Sequence, residues 1–190
     1  MTVSESHTAL RPAERKVHIV QGEQHVDNDP HVILTTLLGS CIAACIWDAV
    51  AGVGGMNHFL LPGDETEVRK TEPGTGAMRY GVHAMELLVN DLLRHGAQRR
   101  NLQAKIFGGA RMIKGLTDVG ELNAAFVERF LKAENIPIRG GSVRGESGRR
   151  IQFWPVSGRA RQVLLVNGRE VFQAERLTPQ PVTIGTVELF

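Results

Sequence analysis

The chain has 190 residues, 42% of them hydrophobic, 22% charged and 5% aromatic, with a formal net charge of +2. That size and mix suit one globular domain with its own core, and the weak basicity and scarce aromatics do not point to nucleic acid. The thiols Cys41 and Cys45 lie too close together to staple distant segments, the stretch Met1–Arg15 lacks the apolar core of a signal peptide, and no run is long enough for a membrane helix; a reduced, cytoplasmic protein without membrane insertion is expected.

Residues 1–14 carry no hydrophobic period and read as a disordered lead-in. Lys16–Val20 reads as a first strand and Asp27-Asn28-Asp29-Pro30 as a turn. From Val32 to Pro62 the chain is rich in β-branched and small apolar residues, giving strands at 32–38, 42–47 and 52–61, broken at Gly39-Ser40 and at Asp48–Gly52. Residues 62–77 form a polar loop of a length usually kept for function or disorder. Val82, Met85, Leu88, Val89 and Leu92 recur at helical spacing and predict a helix over Arg79–His95, stopped by Gly96. Leu102–Phe107 reads as a strand ending in Gly108-Gly109, and Leu122, Phe126 and Phe130 mark a second helix over about 121–134. Val143 and the segments 150–156, 162–166 and 170–173 read as late strands. The order predicts an α/β fold: a layered single domain with mixed β-sheets and two main helices, spanning 15–175, with 176–190 a tail of unknown role.

Cys45 sits inside the apolar run Ile42–Trp47 and reads as a buried small hydrophobe. Cys41 follows Gly39-Ser40 at a strand end and admits two readings, a core thiol or a nucleophile. Small residues at that break let a substrate approach, and N–H groups near Ser40 and Cys41 would stabilise a thiolate and an oxyanion. A thiol is mostly protonated at neutral pH and needs a base. Of seven histidines, His58 stands apart, because Asn57-His58 is a polar pair within an apolar strand that a hairpin can return beside Cys41. Asn57 is itself a candidate oxyanion or substrate-binding residue, with Ser40. Alternation along an extended strand places Thr35 on the face of Cys41, which makes Thr35, rather than Thr36, the candidate to orient His58. No metal site is expected, since nothing at ligand spacing completes Cys41-x-x-x-Cys45. The arginines between Arg139 and Arg161 read as a solvated surface of turns and edge strands, with docking to an acidic protein surface as an alternative.

Taken together, Thr35-Thr36-Leu37-Leu38-Gly39-Ser40-Cys41 and Gly54-Gly55-Met56-Asn57-His58-Phe59-Leu60-Leu61-Pro62 resemble the CheD family of chemoreceptor glutamine deamidases. The family's threonine six before the cysteine and histidine seventeen after it fall on Thr35 and His58. The likeness continues through Arg79-Tyr80-Gly81, Lys105–Ala110, Asn123 and Ser147-Gly148-Arg149-Arg150, covering about residues 17–167. It implies a fold similar to the catalytic domain of the cytotoxic necrotizing factor toxins. It also implies hydrolysis of glutamine side chains on the cytoplasmic part of methyl-accepting chemotaxis receptors, by Cys41, His58 and Thr35 and without a cofactor. A CheC-type phosphatase is a further implied partner. The competing readings are a non-enzymatic adaptor on the same fold and a generic cysteine hydrolase.

Overall fold

The computed structural model describes residues 13–61, 76–112 and 119–165. Residues 1–12 of the expected lead-in, 62–75 of the expected loop, the expected strand at 170–173 and the tail at 176–190 lie outside these. The described elements are β1 (Arg15–His18), β2 (Gln24–Asp27), β3 (Val32–Leu38), β4 (Ile42–Asp48), β5 (Val53–Asn57), α1 (Gly76–Arg94), β6 (Gln103–Gly108), α2 (Val119–Ala133), β7 (Ile138–Val143), β8 (Arg149–Trp154) and β9 (Arg159–Leu164). One sheet runs β1-β3-β8-β9 and the other β2-β5-β4-β6-β7. Both are mixed: β1–β3 and β6–β7 pair in parallel, the rest antiparallel.

Side-chain alternation sorts the core into two layers. Between the sheets lie Leu34, Leu38, Ile151 and Phe153 from the first and Cys41, Ala43, Cys45, Trp47 and Met56 from the second. On the far side of the second sheet Ile42, Ala44, Ile46 and Ile106 pack against Met85, Leu88 and Leu92 of α1 and Phe126, Val127 and Leu131 of α2. The order is sheet, sheet, helices, which is the expected α/β layering. The unbroken apolar run of β4 follows, since every residue from Ile42 to Asp48 is buried and both faces are covered.

The chain changes sheets between β3 and β4, next to Cys41. It leaves the first sheet at Leu38, bends through Gly39–Cys41, and enters the second at Ile42. The expected alternation from Thr35 to Cys41 therefore does not hold, because no continuous strand connects them.

The arginine-rich stretch is largely the expected solvated surface, with Arg139, Arg150, Arg159 and Arg161 exposed, and two of its arginines turn inward. Arg144 bonds Glu121 and Glu128 of α2 through its guanidinium, and its backbone N–H donates to the Gly108 carbonyl at 2.8 Å. These carboxylates push its pKa further up. Arg149 is buried and donates to Ser142 and to the carbonyls of Arg144 and Ser147. Arg159 stacks on the Trp154 ring at 3.9 Å. Arg144 and Arg149 close the corner between β7, β8 and α2.

Candidate active site

Cys41 is held by its neighbours' backbone. The Cys41 carbonyl accepts from Gly109 N at 2.8 Å, the Gly39 carbonyl from Ala110 N at 2.8 Å, and the Ser40 carbonyl from the Asn123 side chain at 3.1 Å. A Cβ on Gly108 would lie 2.0 Å from the Cys41 carbonyl oxygen, and Gly108 has φ +112, so this close approach requires glycine. A trans peptide points its N–H opposite its C=O. The N–H groups of Ser40 and Cys41 therefore face away from Ala110 and Asn123.

His58 follows β5. Ile42 and Phe59 exchange backbone hydrogen bonds at 2.9 Å, in the same register as the Cys45–Met56 pair. That register sets His58 opposite Ala43 and diagonal to Cys41 on one face of the sheet, the relation in which cross-strand side chains interact. Both side chains stand between the two sheets, Cys41 fully buried and His58 6% exposed.

The imidazole is oriented by Thr36, not Thr35. Thr36 Oγ1 lies 2.9 Å from His58 Nδ1 and donates its proton to the Ile19 carbonyl at 2.7 Å. With that proton used, the hydroxyl can only accept from the ring, so Nδ1 carries hydrogen and Nε2 is left as a lone pair. Among the described residues, Nε2 is buried and finds no hydrogen-bond partner. Burial pushes the His58 pKa down to about 4, with a hydrogen bond to the Ile19 backbone opposing it. The ring is therefore neutral at physiological pH. Thr35 points to the other face of β3, where its hydroxyl donates to the Ile151 carbonyl at 2.7 Å. The inward set of β3 is Leu34, Thr36 and Leu38 because that is the side facing the second sheet.

Asn57 is likewise not where it was expected. As the neighbour of His58 it faces the helices: its Oδ1 accepts from Ala44 N at 3.0 Å, and its Nδ2 reaches the Ala84 carbonyl at 3.1 Å and Met85 Sδ at 3.4 Å. It pins β4 and β5 to α1 and cannot also serve an oxyanion. Cys45 is fully buried, with its thiol pKa pushed up by burial, two rows along β4 from Cys41.

Three residues at the site carried no sequence prediction of a role. Asn123 on α2 joins the two halves of the site, accepting from Leu61 N at 2.8 Å while donating to the Ser40 carbonyl. Gln21 places its Oε1 3.5 Å from Cys41 Sγ, where it accepts a hydrogen bond from the thiol. Tyr80 on α1 is 38% exposed, its hydroxyl pKa raised by burial and by Cys41. The short turn Gln21-Gly22 between two strand-like segments is the sequence signal that could have marked Gln21. A cavity of about 370 Å³ is lined by Ile19, Gln21, Thr35, Thr36, His58 and Arg150 among others. Cys41 does not line it, whereas Gln21, whose Oε1 lies 3.5 Å from the thiol, does.

The family model for CheD chemotactic sensory transduction matches residues 60–163. Curated relatives extend the likeness across the site. A protein of Acidiphilium cryptum (strain JF-5) named "Probable chemoreceptor glutamine deamidase CheD" is 61% identical over 180 residues, covering 93% of this chain and 94% of its own. Proteins of the same name from Caulobacter vibrioides (strain NA1000 / CB15N) and Rhizobium johnstonii (strain DSM 114642 / LMG 32736 / 3841) are each 56% identical, covering 92% and 89% of this chain and 93% and 90% of their own. Among solved structures, a Neisseria meningitidis protein of family DUF152 superposes with a TM-score of 0.45 at 11% identity, over 69% of this chain and 64% of that one. On the matched residues and on identity sustained over nine-tenths of its length, the chain belongs to the CheD family.

Proposed function

We propose that the protein deamidates glutamine side chains of methyl-accepting chemotaxis receptors, with Cys41 as nucleophile, His58 as acid and base, and Thr36 as the group that orients His58. The observation that carries this reading is the open Nε2 lone pair of His58, held by Thr36 on the same face as Cys41. Membership of the CheD family, and the names its relatives bear, support the substrate.

The resting pair is neutral: a thiol donating to Gln21 and an imidazole whose pKa lies near 4. Attack therefore starts from the thiol, with its proton passing to Nε2 as Sγ bonds the carboxamide carbon. The tetrahedral oxyanion is held by the N–H groups of Ser40 and Cys41. The imidazolium gives the proton to the leaving nitrogen, ammonia departs, and a thioester remains. Water, deprotonated by Nε2, adds to the thioester; its collapse expels the thiol and yields glutamate. The sum is amide plus water to carboxylic acid plus ammonia, with both residues restored. Apo sites often show catalytic hydrogen bonds unformed, so the orphaned Nε2 fits a base awaiting its partner.

The test incubates the protein with a receptor cytoplasmic fragment and follows it by intact and tandem mass spectrometry with an ammonia assay. Glutamine-to-glutamate conversion in an uncut chain, matched by released ammonia, is expected. Backbone cleavage would make the protein a peptidase, and an unchanged receptor would leave the adaptor reading standing.

A further inference from the structure

We propose that Gln21 is a further catalytic residue, its side-chain carboxamide donating an N–H to the oxyanion formed when Cys41 attacks; this rests on Cys41 being the nucleophile. Gln21 is placed by a tight turn, closed by Glu23 N donating to the Val20 carbonyl at 3.0 Å, with Gly22 at φ +89. The turn is bolted to the peptide of the catalytic histidine on both sides. Gly22 N donates to the His58 carbonyl at 2.7 Å, and His58 N donates to the Glu23 carbonyl at 3.0 Å. Gln21 and His58 are thus held in one frame, and the Gln21 side chain reaches the sulfur from it.

The distances suit the role. The oxyanion sits two covalent bonds from Sγ, and a donor must lie about 3 Å from it. A carboxamide atom 3.5 Å from Sγ falls in that shell. At rest the thiol donates to Oε1. Once the proton has moved to His58, the sulfur no longer donates, and half a turn about a soft terminal torsion presents Nε2–H in the same place. Gln21 also lines the cavity that reaches His58. The alternative side chain, Asn57, is already committed to β4 and α1. Gln21 exchanges no proton and forms no bond; it stabilises charge.

The test compares Gln21→Leu, Gln21→Glu and Cys41→Ala with the wild type in receptor deamidation, alongside the rate of Cys41 alkylation by iodoacetamide mapped by peptide mass. Alkylation uses the thiol but builds no oxyanion, which separates the two roles. The expected result is that both Gln21 variants lose about 10²-fold in kcat with little change in KM, while alkylation in Gln21→Leu stays within threefold. Retained kcat in Gln21→Leu overturns the proposal. So does a fall in alkylation equal to the fall in kcat, which would make Gln21 a support for the thiol alone. Activity surviving in Cys41→Ala would instead overturn the nucleophile assignment, whatever the Gln21 variants do.

Discussion

Replacing Thr36 by valine keeps the shape of a β-branched residue and removes one hydroxyl. That hydroxyl makes two bonds, to the Ile19 carbonyl at 2.7 Å and to His58 Nδ1 at 2.9 Å. Leaving buried partners short costs about 1–3 kcal/mol, partly offset here because the ring also bonds the Ile19 backbone. A stability loss of about 1–2 kcal/mol in urea denaturation is expected. The catalytic loss comes from the tautomer. With one of the two acceptors near Nδ1 gone and only the Ile19 backbone left, hydrogen on Nε2 is less disfavoured, by up to about 1 kcal/mol, and that tautomer cannot take the thiol proton. With looser ring placement, kcat should fall about tenfold, since about 1.4 kcal/mol is a factor of ten in rate. The assay is receptor deamidation by mass spectrometry, with imidazole ¹⁵N shifts reporting the tautomer directly. Thr35→Val is the matched control. Its hydroxyl serves only the Ile151 carbonyl among the described bonds, so kcat should stay within threefold. A larger loss in Thr35→Val than in Thr36→Val would refute the assignment.

Other outcomes follow from the same geometry. Because the His58 pKa falls from 6.5 to about 4 on folding, the unfolded chain binds more protons between those values. The associated stability, about 3 kcal/mol, is fully present above pH 6.5 and lost as pH falls to 4; denaturation of His58→Gln should show a flatter slope in that window. The acid limb of kcat/KM should likewise lie near pH 4, and a limb at 6.5 would contradict the burial argument. Gly108→Ala forces a Cβ against the Cys41 carbonyl at a positive φ and should cost about 3 kcal/mol or more, read as a drop in thermal midpoint with loss of activity. Asn123→Leu removes the link between Ser40 and Leu61; kcat should fall more than KM rises, with stability down by about 2 kcal/mol.

Much of this was legible in the sequence, and the failures have physical causes. β3 and β4 announced themselves because every residue of β4 and all of β3 but Leu37 are buried, so apolar residues run almost unbroken. The helices stood out by their buried stripes, Met85, Leu88 and Leu92 on α1 and Phe126 and Leu131 on α2. β2 was hidden because only Val26 of its four residues is buried. β7 was hidden because it is an exposed edge strand with Gly140 and Gly141 at positive φ, so it carries no alternation. At the site, Cys41 and His58 were visible as polar or reactive groups in apolar surroundings. Thr35 was preferred over Thr36 because alternation was carried through Gly39-Ser40, where the chain changes sheets. Asn57 needed no structure to set aside: adjacent strand residues face opposite sides, so it could not share the side of His58. Gln21 and Asn123 come from distant segments, and their hydrogen bonds to the Cys41 bend exist only in the fold.

The account stands most directly on one comparison, Cys41→Ala against Cys45→Ala, each incubated with the receptor fragment and read by mass spectrometry. Cys45 is buried two rows along β4 with its thiol held protonated, so its variant should keep most of the wild-type rate. Cys41→Ala should fold, leave every receptor glutamine unconverted and release no ammonia. Glutamate appearing on the receptor with Cys41→Ala would contradict the account.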